Sequence, residues 1–208
     1  MGFVEAYRAS LKPSEVEEPI DAWFHRPLGH VIAYTSNPIK FISPDLITVM
    51  SIVFGWASGA MILYDVPYHM QIAALLLTVS VALDCADGQL ARMRKSSSPF
   101  GRMLDGVADL LVIIAVAPLS LWYVFLQYSK PEYDPRVKWV VAVTGIATIV
   151  TSSFHTGMYD HYKNVWFRFT SPGYKEGEDS DTAKKRYDDE INQGNKPLWK
   201  RLFWFIYL

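Results

Sequence analysis

Long apolar segments separated by short polar ones dominate the chain. Four of them, residues 45–64, 70–83, 110–126 and 137–154, are nearly free of charged side chains. Each reaches or approaches the roughly 20 residues that a helix needs to cross about 30 Å of hydrocarbon. The pattern predicts four membrane-spanning helices in an all-α, polytopic transmembrane helical bundle.

The segment before the first span has an amphipathic pattern. Over residues 14–40, acidic positions come first, and a run follows in which Trp23, Phe24 and Leu28 recur among polar residues. This pattern is typical of an N-terminal amphipathic helix lying in the membrane interface, with Pro19 near its start. A plain cytoplasmic segment packed on the membrane domain fits equally well. Ser43, followed by Pro44, is predicted to be the N-cap of the first span.

The end of the chain changes in composition. Residues 171–196 are rich in Gly, Asp, Glu and Lys, which is typical of a solvated or disordered cytoplasmic segment. Residues 199–208 are mostly aromatic and aliphatic. Because this last stretch is too short to cross a bilayer, it is interpreted either as an interfacial anchor or as the first turns of a further helix.

Bulk composition excludes some functions. The 208 residues have a formal net charge of -1, and the sequence lacks the basic face with interleaved aromatic residues that is typical of nucleic-acid binding. Cys85 is the only cysteine, which excludes an intrachain disulfide and a cysteine-based metal site. We expect Cys85 to pack as a small residue.

Basic residues near the ends of the spans predict the orientation. The loop between spans two and three and the segment after span four are rich in Lys and Arg, whereas the turn at residues 65–69 has neither. The four spans predict an integral, multi-pass membrane protein. The positive-inside rule predicts that its N-terminus, the active-site aspartates after span two and the segment after span four face the cytoplasm. Lys130, Arg136 and Lys138 fall on the opposite side and are fewer.

Four aspartates lie within or at the ends of the apolar segments at regular spacing. An ionisable group at membrane depth costs about 2.5–3.5 kcal/mol on insertion scales, so such groups indicate a functional site. On a helix, the first set of motif residues has offsets of 0, 3, 4, 7 and 8 and the second has offsets of 0, 4 and 8, so each set forms one stripe. The sets are Asp84, Asp87, Gly88, Ala91 and Arg92, and Gly101, Asp105 and Asp109.

Two antiparallel helices joined by a short loop would bring the four carboxylates together. Oxygen ligands of this kind suit Mg²⁺ or Mn²⁺, and a pair of ions bridged by carboxylates can clamp a diphosphate. Gly88 and Ala91 keep one helical face without bulk, and Arg92 can pair with a phosphate. One carboxylate would then take a proton from an attacking hydroxyl.

This pattern resembles the motif of the CDP-alcohol phosphatidyltransferase family, D-x2-D-G-x2-A-R-x8-G-x3-D-x3-D. All eight fixed positions are present within 26 residues, from Asp84 to Asp109. Pro44 and Thr48 also resemble the family's usual opening of the first span. The resemblance covers about residues 40–160.

The resemblance implies transfer of a substituted phosphate from a CDP-linked lipid donor, expected to be CDP-diacylglycerol, to a small alcohol acceptor with release of CMP. It implies that Asp84, Asp87, Asp105 and Asp109 bind metal and that Asp109 is also the general base. It further implies that Gly88, Ala91, Arg92 and Thr48 contact the CDP group. Relatives form homodimers and have more membrane helices than the four predicted here.

We therefore divide the chain into three parts. Residues 1–40 form the N-terminal cytoplasmic or interfacial segment, 41–160 the transmembrane catalytic domain, and 161–208 a cytoplasmic segment with the start of a further helix. A CDP-alcohol donor with diacylglycerol as acceptor would use the same motif. The basic residues Arg94, Lys95 and Arg102 favour a phosphorylated polyol as acceptor, although membrane anchoring explains them better.

Two other functions remain open at this point. An intramembrane prenyltransferase also holds Mg²⁺ and a diphosphate with Asp-rich helices, but it has no need of the Gly88, Ala91 and Arg92 positions. A cation transporter could line an ion path with carboxylates, but these aspartates are expected at one membrane face. His155, Asp160 and His161 are interpreted as polar interface residues.

Overall fold

The computed structural model describes residues 2–11, 19–96 and 99–170, and every regular element in these ranges is a helix. The elements are α1 (Phe3–Ser10), a π-helical turn (Asp21–His25) that leads into α2 (Arg26–Ser36), α3 (Pro44–Leu63), α4 (His69–Met93), α5 (Pro99–Gln127) and α6 (Pro135–Thr170). The predicted all-α class is confirmed. Helix α1 was not predicted from the sequence.

Four helical segments are long and apolar enough to cross a membrane. They are Pro44–Leu63, His69–Met93, Leu104–Gln127 and Pro135–Lys163, with lengths of 20, 25, 24 and 29 residues. At a rise of about 1.5 Å per residue, each covers about 30 Å or more. The four predicted spans are confirmed, and the second continues through the aspartate motif to Met93.

The first span begins where the sequence predicted. Ser43 is the N-cap of α3, and its hydroxyl accepts a hydrogen bond from the backbone N–H of Leu46 at 3.1 Å. Pro44 occupies the first helical position, where a missing N–H leaves no bond unmade. The cap therefore sets where the polypeptide enters the membrane helix.

Small residues let α3 lie close to its neighbours. Helix α3 packs against both α4 and α5. A Cβ atom built on Gly59 would stand 2.9 Å from the carbonyl oxygen of Ala115 on α5. The buried hydroxyl of Ser80 donates to the carbonyl oxygen of Ser51, and that of Ser58 to the carbonyl oxygen of Ala73. Small residues and interhelical hydroxyl bonds are the usual means of helix association in membranes.

A buried apolar cluster lies where α2 and α3 meet α4. Its core residues are Ala33, Ile47, Leu83, Ala86 and Leu90. Ala86 and Leu90 alternate with the motif residues along α4, so one side of the helix packs while the other carries the carboxylates. This packing fixes the rotation of α4 and therefore the direction of its aspartates.

The chain divides into two compact units between Gly145 and Ile146. The first contains α1 to α5 and the start of α6, and the described part of the second is the remainder of α6. The predicted solvated segment 171–196 and the apolar ending 199–208 lie outside the described residues, as do the side chains of Arg102 and Asp160.

Candidate active site

Three of the four motif aspartates come together in space. Asp84 and Asp87 are one turn apart on α4, and Asp105 lies near the start of α5. One carboxylate oxygen from each lies within 4.8 Å of the other two. Asp109 is exposed one turn beyond Asp105 and does not belong to this three-oxygen group.

The donor set of this group suits a divalent cation. Asp87 is buried, Asp84 is half-buried and Asp105 is exposed, so the group opens toward solvent on one side. The Oδ1 atom of Asp84 is buried, and no hydrogen-bond donor among the described residues reaches it. A buried, unsatisfied carboxylate oxygen among like charges is unfavourable unless a cation compensates it. The residues present therefore fit Mg²⁺ or Mn²⁺, which prefer such ligands.

Thr48 on α3 holds one of the site carboxylates. Its side chain is 3% exposed, and its hydroxyl donates a hydrogen bond to Oδ2 of Asp87. The same hydroxyl oxygen lies 3.2 Å from the carbonyl oxygen of Pro44, one turn earlier on α3. The structure thus brings Thr48 into the site through a metal-ligand candidate. Its contact with a CDP group stays a prediction.

Arg92 folds back along α4 over Gly88. A Cβ atom on Gly88 would lie 3.4 Å from Nη1 and 3.7 Å from Nη2 of Arg92. The Nε–H of Arg92 donates to the carbonyl oxygen of Ser10 at 2.5 Å. The guanidinium is therefore held on the face of α4 that carries the aspartates, where a Cβ on Gly88 would be in ordinary van der Waals contact with it.

The remaining motif residues occupy ordinary helical positions. Ala91 is half-buried on α4, and its carbonyl oxygen accepts from the N–H of Ser96 at 2.9 Å. Gly101 is half-buried in the first turn of α5. The N–H of Lys95 donates to the carbonyl oxygen of Arg92, and Lys95 has a φ of 52°. This bond and the one from Ser96 to Ala91 form the chain reversal that ends α4.

Arg94 is a structural residue of the fold. Its guanidinium donates to the carbonyl oxygens of Ser36, Asn37, Ile39 and Ile42 at distances of 2.6–3.0 Å. These carbonyls belong to the end of α2 and the connection to α3. Arg94 therefore ties the end of α4 to that connection, which accounts for this side chain without a phosphate ligand. Lys95 is exposed at the turn.

Several residues around the site carried no recognisable signal in the sequence. Gln89 is fully buried, and its Nε2 donates to the carbonyl oxygen of Arg26 at 3.1 Å, which ties α4 to the start of α2. Ser10 and α1 reach the motif from the far N-terminal end. Both contacts involve a backbone carbonyl oxygen, which every residue type carries, so only the tertiary structure identifies them.

Other predicted positions agree with their simpler interpretation. Cys85 is buried, and a Cβ atom on Gly29 of α2 would lie 2.9 Å from its Cβ, so Cys85 packs as a small residue at a close helix contact. His155 and His161 are exposed on α6. Among the described side chains, neither histidine belongs to a group with metal-ligand geometry.

Comparison with known proteins agrees with the motif. The family model described as CDP-alcohol phosphatidyltransferase matches residues 41–168, which is more than half of the chain. The match contains α3, α4 and α5 and therefore every residue of the aspartate motif.

Three curated relatives illustrate the range of similarity. The CDP-diacylglycerol–serine O-phosphatidyltransferase of Helicobacter pylori is 30% identical over 129 residues, covering 62% of this chain and 52% of that protein. The CDP-diacylglycerol–glycerol-3-phosphate 3-phosphatidyltransferase of Pseudomonas fluorescens is 38% identical over 80 residues, covering 38% and 40%. The bifunctional IPC transferase and DIPP synthase of Aquifex aeolicus is 26% identical over 153 residues, covering 72% and 33%.

The chain spans about half the length of the Helicobacter pylori relatives that it matches. The matched half nevertheless contains the aspartate motif with all eight fixed positions, and three of its carboxylates meet in space. On the family match over residues 41–168, the chain belongs to the CDP-alcohol phosphatidyltransferase family.

Proposed function

We propose that this protein transfers a phosphatidyl group from CDP-diacylglycerol to an alcohol acceptor and releases CMP, as a step of phospholipid biosynthesis. The observation that carries the proposal is the group formed by Asp84, Asp87 and Asp105, whose carboxylate oxygens lie within 4.8 Å of one another. Two relatives support CDP-diacylglycerol as the donor, because both are named for it.

The residues of this group would hold Mg²⁺ or Mn²⁺, and we propose a pair of ions. When bound, divalent cations neutralise the diphosphate and stabilise charge that develops on the entering and leaving oxygens. Asp87 would be held in its ligating orientation by Thr48, whose hydroxyl it already accepts. An outer partner of this kind commonly changes metal affinity by about 10–100-fold.

The remaining motif residues would orient the donor and accept the proton. Arg92, lying over Gly88, would bind phosphate oxygens of the CDP group, and Ala91 and Gly88 would leave room for it. The acceptor hydroxyl oxygen attacks the phosphorus that carries the diacylglycerol group. A new P–O bond forms, the P–O bond to CMP breaks, and the hydroxyl proton passes to the carboxylate of Asp109.

The surroundings of the site suit a lipid donor. The aspartates lie near the end of α4, a candidate span, so a lipid can enter from the bilayer while its headgroup stays in water. We propose that this end faces the cytoplasm, in line with the Lys and Arg distribution. The segment around α2, with Trp23 86% exposed and Val31 52% exposed, would lie in the membrane interface. We also propose that the protein forms a homodimer, as its resemblance to the family implies.

The acceptor is the part of the reaction that the sequence defines least. In the sequence, Arg94 was one of three basic residues that favoured a phosphorylated polyol as the acceptor. Its guanidinium donates to backbone carbonyls, so the argument for this acceptor now rests on Lys95 and Arg102 alone. Relatives are named for serine and for glycerol 3-phosphate. We retain a phosphorylated polyol as the proposed acceptor and use serine as the comparison.

The test is CMP release by detergent-purified protein from CDP-diacylglycerol with Mg²⁺ or Mn²⁺. Serine, glycerol 3-phosphate and inositol phosphate are compared as acceptors, with Asp109→Asn as the inactive variant and Asp65→Asn, in the turn between α3 and α4, as the control. We expect metal-dependent release with one acceptor, a loss of at least 100-fold in Asp109→Asn, as expected for a general base, and no change in Asp65→Asn.

The rival functions give different results in the same preparation. Release only from CDP-choline or CDP-ethanolamine with diacylglycerol would reverse donor and acceptor while keeping the reaction class. Transfer from a prenyl diphosphate without a nucleotide would identify a prenyltransferase. Cation flux into proteoliposomes without any nucleotide would identify a transporter and contradict the proposal.

A further inference from the structure

Helix α1 contacts the site from outside the residues that the family model matches. It packs against α4 and α2. Ala6 is 1% exposed and Ser10 is completely buried, whereas Val4 and Ala9 are exposed. One face of α1 is therefore docked on the membrane domain through specific contacts.

The docking is centred on His30 of α2. This side chain is 1% exposed, and its Nε2 lies 3.1 Å from the carbonyl oxygen of Phe3. The imidazole ring lies 4.6 Å from the ring of Phe3 and 4.9 Å from the ring of Tyr7, and Tyr34 contacts Phe3 at 5.1 Å between ring centroids. Such ring contacts in edge-on geometry stabilise a fixed arrangement. They hold the start of α1 on α2.

The other end of α1 reaches Arg92. Ser10 is the last residue of α1, and the carbonyl groups of a final helical turn lack intrahelical partners. The carbonyl oxygen of Ser10 accepts the Nε–H of Arg92 at 2.5 Å. The partial negative charge at a helix C-terminus adds to the attraction for a guanidinium. Arg92 is thus held by a group 82 residues away in the sequence.

This bond holds the Nε edge of the guanidinium on α1. Nε points to α1, while Nη1 and Nη2 lie over Gly88. On α4, Gly88 is next to Asp87 and one turn from both Asp84 and Arg92. An unrestrained arginine loses rotamer freedom when it is fixed by a ligand. A side chain already fixed through Nε loses less when its terminal nitrogens bind an anion.

We propose that α1 is part of the donor site: docked through His30, it positions Arg92 through the Ser10 carbonyl so that the terminal nitrogens meet the diphosphate of the CDP-linked donor. This inference rests on the proposed function, since it takes a CDP group as the ligand. Residues of α1 act here as positioning residues and do not contact the donor.

The test measures CDP binding and kinetics of the full chain with α1 displaced. Ala6→Trp places a large ring on the docked face, and Ala9→Trp makes the same change on the exposed face as the matched control. We expect Ala6→Trp to weaken Mg²⁺-dependent CDP binding about tenfold and to raise KM for CDP-diacylglycerol similarly, with KM for the alcohol unchanged. Ala9→Trp should match the wild type.

A second variant and a double-mutant cycle separate positioning from general damage. Phe3→Ala removes the ring contacts to His30 and Tyr34 without adding bulk, and we expect it to shift CDP affinity in the same direction. In an Arg92→Ala background, Ala6→Trp should have no further effect on CDP binding, because the residue through which α1 acts is gone.

Three outcomes would overturn the inference. Ala6→Trp and Phe3→Ala could bind CDP as tightly as the wild type, or their effects could add fully to that of Arg92→Ala. In both cases the wild type still binds CDP and the proposed function stands. If the wild type itself binds no CDP in the presence of Mg²⁺, the proposed function fails and the role of α1 fails with it.

Discussion

At the scale of single residues, Thr48 and Asp87 are 39 residues apart in the sequence and in contact in the site. The Thr48 hydroxyl orients a buried carboxylate, and a hydrogen bond to a charged group is commonly worth about 1.5–3 kcal/mol. Thr48→Val keeps the shape and removes this donor. We expect CMP release to fall about tenfold or more at limiting Mg²⁺, with partial recovery at high Mg²⁺.

Thr151→Val is the matched control for this prediction. The Thr151 hydroxyl bonds to carbonyl oxygens of its own helix, α6. The activity of Thr151→Val should stay at the wild-type level at every Mg²⁺ concentration. Equal losses in both variants would show that the effect of Thr48→Val is not specific to the site.

Arg94 gives a prediction about stability. A lysine in its place keeps the charge but presents a single ammonium group, which cannot reach the carbonyls of Ser36, Asn37, Ile39 and Ile42 together. We expect Arg94→Lys to destabilise the protein by about 1–3 kcal/mol, measured by thermal unfolding in detergent. The exposed Arg136→Lys should change stability by less than about 0.5 kcal/mol.

The sequence predicted the residues of the site better than their contacts. Helical spacing on two adjacent helices was sufficient to expect the four aspartates together, and the structure groups Asp84, Asp87 and Asp105 without Asp109. The bond from Arg92 to the Ser10 carbonyl was beyond prediction, because it joins segments 82 residues apart and its acceptor is a backbone atom that every residue type carries.

At the scale of secondary-structure elements, close packing of α3 on α5 depends on Gly59. A Cβ atom there would meet a backbone oxygen of α5 at 2.9 Å, and a backbone atom cannot move aside as a side chain can. We expect Gly59→Ala to destabilise the protein by about 1–3 kcal/mol despite the better helix propensity of alanine. Thermal unfolding in detergent measures the difference.

Gly157→Ala provides the control for Gly59→Ala. Among the described residues, no heavy atom outside the backbone of its own helix lies within 4 Å of the Cβ position at Gly157. There the propensity gain should act alone, so stability should be unchanged or slightly higher. A loss of the same size at both positions would contradict the packing argument.

The elements differed in how well their sequences predicted them. The four spans follow from hydropathy alone, because the lipid environment requires about 20 apolar residues in each case. Helix α1 has only 8 residues, and an isolated helix of that length is unstable in water. Its stability comes from the burial of Ala6 and Ser10 and from the ring contacts of Phe3 and Tyr7 to His30, which are tertiary. These four positions have helical spacing, but a pattern over only 8 residues is too short to predict a helix.

At the scale of the whole molecule, the orientation can be tested through cysteine chemistry. Cys85 is the only cysteine and is buried, so it gives little background labelling. Ser96 and Asp65 are exposed beyond opposite ends of α4, whose 25 residues separate them by about 36 Å. We expect a membrane-impermeant maleimide to label Asp65→Cys in intact cells, and to label Ser96→Cys only after the membrane is opened. The reverse pattern would invert the proposed orientation.

The central claim, that Asp84, Asp87 and Asp105 hold a divalent cation, is tested most directly by Mn²⁺ binding to the full chain, followed by electron paramagnetic resonance. The wild type should bind Mn²⁺, and Asp84→Asn should weaken binding by at least about tenfold, because it replaces the carboxylate whose buried oxygen no described donor satisfies. Asp65→Asn should bind like the wild type. Unchanged Mn²⁺ affinity in Asp84→Asn would contradict the account.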